Sequence, residues 1–574
     1  MIYKHIYISY IINKIMCGIW IYLHKLTIQP SLTYDEMYNA FMKIEARGPD
    51  KSVLLKQSKY GLYIGFHRLC IMDTTSKGDQ PFVLETEKKN IYVICNGEIY
   101  NFKELCEKYN IILNSGSDCE VLIHLYQLIG IDVMIKELIG EFAFCICEID
   151  NFTHIVKLII GRDQSGIRPL FITGNDDELV ITSELKGSPF LDSTNYNIIQ
   201  FPPRHYLEIN NNDDKIFDPS FSKLVKYRDF RNIERTIYDL ELAKTKIRQT
   251  FIETVKCRMI SDRPLGCLLS GGLDSSLVAS IASIFCKEKG MILKTFSIGM
   301  AGSTDEYYAK LVAKHIGSNH THIELPEKTW LDAIQKVVEV IESYDITTVR
   351  ASTGQYLVSK WISENTDIKV LLIGDGSDEL CSGYMYFHKA PDPELMHLEN
   401  IRLIEDIHFY DVLRADRGIS ANGLEARVPF LDHRFIELYL SIDPILRMPA
   451  TKGLEKWFLR ESFSENDYLP IEVLLRPKEA FSDGCSSSKR SWYSIIQEYI
   501  NNKISDEELN ESKKKYIHCI PPSKESLYFR KVFESYFGIF EETAKVIPYL
   551  WLPKWVGNIS EPSARVLDVY KKWK

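Results

Sequence analysis

The chain has 574 residues, 45% of them hydrophobic and 26% charged, which is enough for more than one packed domain. Its net charge of −9 offers no electrostatic footprint for nucleic acid or an anionic membrane, and no stretch approaches the ~20 uninterrupted apolar residues of a bilayer span. Thirteen scattered cysteines with no CxxC pair exclude a zinc framework and a disulfide scaffold, and point to a reducing, cytoplasmic setting.

Residues 1–15 are apolar with scattered Lys and His, but lack the clean core and small-residue cleavage site of a signal peptide. Met16 and Cys17 follow. If the chain starts at Met16 and loses it, Cys17 becomes the first residue, and a free α-amine of pKa near ~8 can act as base for its own thiol. Residues 1–16 are then an extension absent from the mature protein; retained, they block that amine. Taken alone, Cys17 reads more readily as an ordinary buried, structural cysteine.

From 17 to about 215 the chain shows short strand-like runs at 17–23, 60–72, 91–95, 142–149, 154–160 and 179–182, with helical stretches near 34–45 and 120–128. This mixture predicts α+β with packed sheets. Polar clusters sit at the strand ends: Arg47-Gly48-Pro49-Asp50, His67-Arg68-Leu69, Asn96-Gly97-Glu98 and Ser117-Asp118. A thiolate attacking an amide needs an oxyanion hole, which the Asn96 side chain and the Gly97 N–H can form. A free amino acid needs a cation for its carboxylate and carboxylates for its ammonium; Arg68, Asp118 and Glu98 have those charges. Residues 216–238 read as a linker, and 239–255 as an amphipathic helix that opens a second domain, 239–574.

That second domain alternates strands and helices, the pattern of a doubly wound parallel sheet. A strand at 264–269 runs into Ser270-Gly271-Gly272-Leu273-Asp274-Ser275-Ser276, and a helix follows. Strand, glycine-rich turn and helix N-terminus together make an anion cradle. No Lys precedes a Ser as in a Walker loop, and the third glycine of a dinucleotide loop is absent. Asp274 fits such a cradle if a divalent cation bridges it to phosphate. Strands at 294–298, 320–323 and 370–373 alternate with helices at 305–316 and 330–341. The last strand ends in Gly374-Asp375-Gly376-Ser377-Asp378-Glu379, so Asp378 can share the Mg²⁺ of Asp274.

Cys17-Gly18-Ile19, Arg47-Gly48-Pro49-Asp50, Asn96-Gly97-Glu98-Ile99-Tyr100-Asn101 and Ser117-Asp118-Cys119-Glu120 closely resemble the glutaminase domain of glutamine-hydrolysing asparagine synthetases. The second domain resembles the same family in its cradle, in Thr347–Ser352, in Glu425-Ala426-Arg427-Val428-Pro429-Phe430-Leu431-Asp432 and in Lys478-Glu479. The resemblance spans about 17–570, including the tail motifs Trp551–Trp555 and Pro562–Arg565.

It implies an N-terminal-nucleophile αββα sandwich over 17–215, joined to a parallel-sheet ATP-pyrophosphatase domain. It implies Cys17 as nucleophile, and glutamine binding by Arg68, Asn96, Gly97, Glu98 and Asp118. It implies ATP contacts at Leu268, Ser270, Gly271, Gly272, Asp274, Ser275, Ile298, Ile373 and Gly374, and Mg²⁺ on Asp274 and Asp378. Lys478 would stabilise charge on phosphorus. The implied reaction makes asparagine from aspartate, ATP and glutamine through β-aspartyl-AMP, in a homodimer, with no nucleic-acid or membrane partner. The rivals are an ammonia-dependent synthetase with an inactive glutaminase, a related adenylating amidotransferase such as a β-lactam-forming enzyme, and, outside enzymology, a degenerate storage or scaffold protein. The family usually reads Ser-Gly-Glu-Gly-Ser-Asp-Glu where this chain has Ile373-Gly374-Asp375-Gly376-Ser377-Asp378-Glu379. The catalytic glutamate is thus Asp375, one methylene shorter.

Overall fold

The computed structural model describes residues 17–557. The extension 1–16 and the Pro562–Arg565 motif lie outside the described residues.

The first half contains twelve strands. They are β1 (Gly18–His24), β2 (Lys51–Gln57), β3 (Leu62–Arg68), β4 (Phe82–Glu85), β5 (Lys89–Ile99), β6 (Gly140–Asp150), β7 (Val156–Arg162), β8 (Phe171–Gly174), β9 (Glu178–Thr182), β10 (Asn197–Gln200), β11 (His205–Asn210) and β12 (Val225–Lys226). They form two six-stranded antiparallel sheets, ordered β10-β8-β9-β1-β3-β2 and β12-β11-β7-β6-β5-β4. Strand alternation explains how the sheets pack. Along β1, Ile19, Ile21 and Leu23 enter the core between the sheets with Ile94, Ala143, Cys145 and Ile160. Trp20 and Tyr22 point the other way, onto Met37 and Phe41 of α1 (Tyr34–Met42). The far face of the second sheet is covered by α2 (Phe102–Tyr109) and α3 (Val121–Glu137). The layers are therefore αββα, as the resemblance implies.

Three local readings change. β5 does not stop at Cys95: residues up to Ile99 pair with Gly140–Ala143 of β6, so Asn96, Gly97 and Glu98 lie in the sheet. α3 passes Gly130, which kinks it at φ 68°, and runs nine residues beyond the predicted end at 128. The stretch 216–238 is packed: Ile216 and Phe217 join the intersheet core, β12 pairs with β11, and Ile237 bridges to Ile442.

The second half opens with α4 (Leu240–Cys257), capped by the Asp239 side chain accepting from the Leu242 N–H. Its sheet is parallel, with β13 (Leu265–Leu268), β14 (Lys294–Gly299), β15 (Asn319–Glu324), β16 (Val370–Leu372) and β17 (Glu425–Arg427) in the order β15-β14-β13-β16-β17. Strand order reverses between β13 and β16, and a crevice opens beyond the carboxyl ends of strands at such a switch point. Helices α5 (Leu273–Glu288), α6 (Thr304–Ile316), α7 (Glu327–Ile341) and α8 (Ile346–Asn365) follow the strands. No helix among the described residues is long and apolar enough to cross a membrane.

Buried ion pairs join the halves. Arg47 Nη1 reaches Glu184 at 2.8 Å and Asp416 at 2.9 Å. Arg258 reaches Glu141 at 2.7 Å and Asp432 at 2.8 Å. Glu342 accepts the Leu185 and Lys186 N–H groups at 2.7 and 2.9 Å.

Candidate active site

Cys17 stands at the start of β1. Its sulfur accepts the Leu69 N–H at 3.4 Å, and its carbonyl accepts Arg47 Nε at 2.9 Å. Burial pushes the thiol above its ordinary value, against the pull of the Leu69 N–H and of Arg68. A thiol so placed is not a ready thiolate and needs a base. The side chain packs with Leu69, Ile71 and Met72, and with Leu265 and Val370, the first residues of β13 and β16. The nucleophile candidate thus rests on the second domain's sheet.

Asn96 is fully buried, and both atoms of its side-chain amide lack a hydrogen-bond partner among the described residues. Leaving a buried amide unsatisfied costs about 1–3 kcal/mol. An amide kept in that state fits a donor that waits for an oxyanion. Gly97 has φ +142°, and a Cβ there would lie 1.9 Å from the Glu141 carbonyl oxygen, so only glycine fits.

The acidic side of the pocket is shared between domains. Asp118 accepts the Ile99 N–H at 2.5 Å, and Glu98 pairs with Arg427 of β17 at 3.4 Å. Burial pushes the Asp118 carboxyl up to about 6, and burial with Asp118 and Glu425 nearby raises Glu98 as well. A carboxyl with a raised pKa is neutral below that value and holds an ammonium poorly. The KM for glutamine should therefore rise as pH falls from neutral through about 6, read as glutamate release; a flat KM across that range would remove Asp118 from the ammonium site. Arg68 is more engaged than its sequence role requires. Its guanidinium donates to the Thr75 carbonyl and to Asp79, both at 2.7 Å, and to the Met72 and Asp73 carbonyls. It orders the 72–79 loop, and a substrate carboxylate would have to share it.

The second site lies at the switch point. One cavity is lined by Leu268, Ser270, Gly272, Asp274, Ser275, Ile298, Ile373, Gly374, Asp375, Asp378 and Lys478, so most of the predicted nucleotide and metal residues meet there. Gly271 stands behind them: at φ +75° its Cβ would fall 2.4–2.5 Å from Tyr308 and Ala309, so this glycine lets the loop press on α6. Gly272 caps α5 in ordinary extended backbone, and a Cβ there would meet only Ser270 Oγ, so its openness serves the cavity. The two loops touch, with Ser377 Oγ donating to Asp274 Oδ1 at 2.7 Å.

Lys456 is one of three residues here that sequence reasoning missed. Buried, with backbone φ 53°, it places Nζ 2.6 Å from Asp274 Oδ2 and 2.5 Å from Asp378 Oδ1. Lys478 Nζ is 2.5 Å from Asp378 Oδ2 and 4.0 Å from Asp274. Lys456 and Lys478 hold the Asp378 carboxyl well below its usual range, against the opposing effect of burial. Two carboxylates thus converge on the Lys456 ammonium, with that of Lys478 beside it. Asp375 forms the opposite wall, with Arg414 Nη1 at 2.9 Å and Gln355 Nε2 at 3.3 Å from each carboxylate oxygen. Gln355 belongs to a stripe of α8 (Thr348, Ala351, Gln355, Val358) that faces the cavity at helical spacing. No sequence signal marked Gln355, Arg414 or Lys456, which meet Asp375 or Asp274 from 20, 39 and 182 residues away along the chain.

Comparison with known proteins agrees with this arrangement. Residues 16–216 match the Glutamine amidotransferase domain family, and residues 246–399 and 391–537 match the Asparagine synthase family. The chain is 40% identical over 582 residues to asparagine synthetase (glutamine-hydrolyzing) of Homo sapiens, covering 97% of this chain and 99% of that protein. It is 41% identical over 581 residues to the protein of the same name from Gallus gallus, with the same coverage. An N-terminal antiparallel sandwich, a C-terminal parallel sheet and end-to-end similarity lead to one conclusion: the chain belongs to the glutamine-hydrolysing asparagine synthetase family.

Proposed function

We propose that the chain makes L-asparagine from L-aspartate, drawing nitrogen from glutamine and energy from the cleavage of ATP to AMP and pyrophosphate. The observation that carries this is the pairing of two sites in one chain. One has Cys17 at the start of β1 and, in β5, the buried Asn96 amide, unpartnered among the described residues; the other gathers Asp274, Asp378, Lys456, Lys478 and Asp375 in a single cavity.

At the first site the Cys17 sulfur attacks the glutamine side-chain carbonyl. Negative charge develops on the carbonyl oxygen, where the Asn96 Nδ2 and Gly97 N–H groups receive it. Ammonia leaves, and water hydrolyses the thioester to glutamate. The raised thiol needs its base in place, which the α-amine supplies when Cys17 is the first residue. Glu98 and Asp118 hold the substrate ammonium.

At the second site the β-carboxylate of aspartate attacks the α-phosphorus of ATP. Pyrophosphate departs toward the N–H groups of the 270–276 loop and the N-terminus of α5, which favour an anion. Lys456 and Lys478 neutralise the departing charge. The donor set around Lys456 also fits Mg²⁺, because Asp274 and Asp378 are hard carboxylates already facing one cation. Among the described residues no cluster of three or more metal-ligating side chains exists, so phosphate oxygens would complete the coordination. When bound there, the ion would neutralise phosphate charge. Ammonia then attacks the acyl carbon, and AMP leaves.

The test uses glutamine labelled with ¹⁵N in its amide. The expected result is label in asparagine, with one AMP and one pyrophosphate per asparagine. Formation of AMP without asparagine would mean that a different acid is activated. Asparagine made from free ammonia but never from glutamine would establish the ammonia-dependent alternative, and intact-mass analysis of the N-terminus would then show whether residues before Cys17 are retained.

A further inference from the structure

In the family's usual motif a glutamate stands where this chain has Asp375, so the carboxylate here begins one methylene farther from the reacting carbon. The structure shows what takes up the missing length. The Gln355 side chain extends from α8 and donates Nε2 to both oxygens of Asp375 at 3.3 Å, while Arg414 holds one of them at 2.9 Å from the other side. Arg414 is itself fixed by Asp411, with Nη2 to Oδ1 at 2.5 Å. The carboxylate is thus clamped and cannot swing toward the cavity to recover reach.

The other end of the same amide is free. Gln355 Oε1 is buried and has no hydrogen-bond partner among the described residues, and the residue is only 5% exposed. A buried carbonyl oxygen left unsatisfied is costly, and in a cavity wall it marks a place for a donor. Gln355 lines the cavity that contains Asp375, Asp274 and the loop 270–276. ATP brings phosphates to the part of the cavity where Lys456 and Lys478 stand beside Asp274 and Asp378. What lacks a partner on this wall is a small molecule that donates N–H.

We propose that Gln355 orients the ammonia that attacks the acyl-adenylate, its Oε1 accepting one N–H while its Nε2 keeps Asp375 in place. An amide oxygen is too weak a base to take the proton, so Gln355 aims the nitrogen lone pair and stays chemically unchanged; as the C–N bond forms the C–O bond to AMP breaks, and the proton shed by nitrogen passes to the departing AMP phosphate. Gln355 and Asp375 would then do together what one glutamate does in the usual motif. The inference rests on the synthetase reading above, and goes beyond it in assigning a residue to the nitrogen-transfer step.

The experiment compares the wild-type enzyme, Gln355→Met, Asp375→Glu and the double variant, with ammonium chloride as nitrogen source and saturating aspartate and ATP. Met matches the length of Gln but offers no acceptor. Gln355→Met should lower kcat/KM for ammonia at least about fivefold, with glutamine hydrolysis and the KM for aspartate unchanged. Adding Asp375→Glu to that variant should recover most of the loss, because the longer carboxylate regains the reach. In the parent, Asp375→Glu meets the Gln355 amide and should not help. The sign of the Asp375→Glu effect thus reverses with residue 355, a coupling that a merely structural glutamine would not produce. An ammonia kcat/KM within twofold of wild type in Gln355→Met overturns the proposal. So does a loss confined to the KM for aspartate, which would place the substrate's own ammonium at Oε1. If the wild-type enzyme forms no asparagine from either ammonia or glutamine, it is the synthetase reading that fails.

Discussion

Replacing Cys17 by alanine should abolish glutamine-dependent asparagine formation, by at least about a thousandfold, because the covalent route loses its nucleophile. Ammonia-dependent formation should persist, since the cavity of Asp274, Lys456 and Lys478 contains no atom of Cys17. The contrast comes from the layout: the thiol lies at the amino ends of β13 and β16, packed on Leu265 and Val370, while the cradle lies at their carboxyl ends. Four strand residues at ~3.3 Å each separate the two. Parallel assays with glutamine and with ammonium chloride check this. Loss of both activities would show that the thiol contributes to the synthetase cavity or to its folding, and the separation of sites would have to be abandoned.

Asp274→Ala should have the opposite signature. Pyrophosphate release should fall at least about a hundredfold with either nitrogen donor, the scale set by leaving a buried ion pair broken at roughly 3–5 kcal/mol. Glutamine hydrolysis should continue. The side chain is held closely by Lys456 on Oδ2 and Ser377 on Oδ1, with Lys478 farther off at 4.0 Å, so its removal unfastens the 270–276 loop from the 374–379 loop and leaves Lys456 to Asp378 alone. Unchanged pyrophosphate release would take Asp274 out of the nucleotide site. Lys456→Met offers a second view: it vacates the space between the carboxylates without shortening either one, and should also stop adenylation.

The two loops of the second domain were legible because their chemistry is local. A strand, two glycines and an Asp within seven residues state a phosphate cradle, and the reversal of strand order puts Gly374–Asp378 beside it. The glutaminase residues were legible through the family resemblance more than through their own pattern, since Asn-Gly is also a common turn. In the structure Gly97 lies inside a paired strand, at φ +142°, and not in a turn. Lys456 was illegible for two reasons. Its carboxylate partner Asp274 is 182 residues away, and its left-handed backbone leaves no trace in residue type. Gln355 reads in sequence as an ordinary helix residue, because only the neighbouring strand end gives its amide a task. Arg427 belongs by sequence to the second domain, yet it faces Glu98 in the first.

The ion pairs between the halves carry a consequence for the history of this chain. Arg47, Arg258, Glu141 and Glu342 are each buried and each satisfied by groups from the opposite half or by a chain of such groups. Cutting the gene between the halves would strand charges on both new surfaces, at roughly 3–5 kcal/mol for each pair broken. A few such losses match the whole folding stability of a typical domain, about 5–15 kcal/mol. A lineage living on abundant ammonia would have no use for Cys17, yet it could not shed the half that carries it. It could lose the thiol by one substitution and would still inherit two hundred residues of sandwich as a structural dependent of the synthetase.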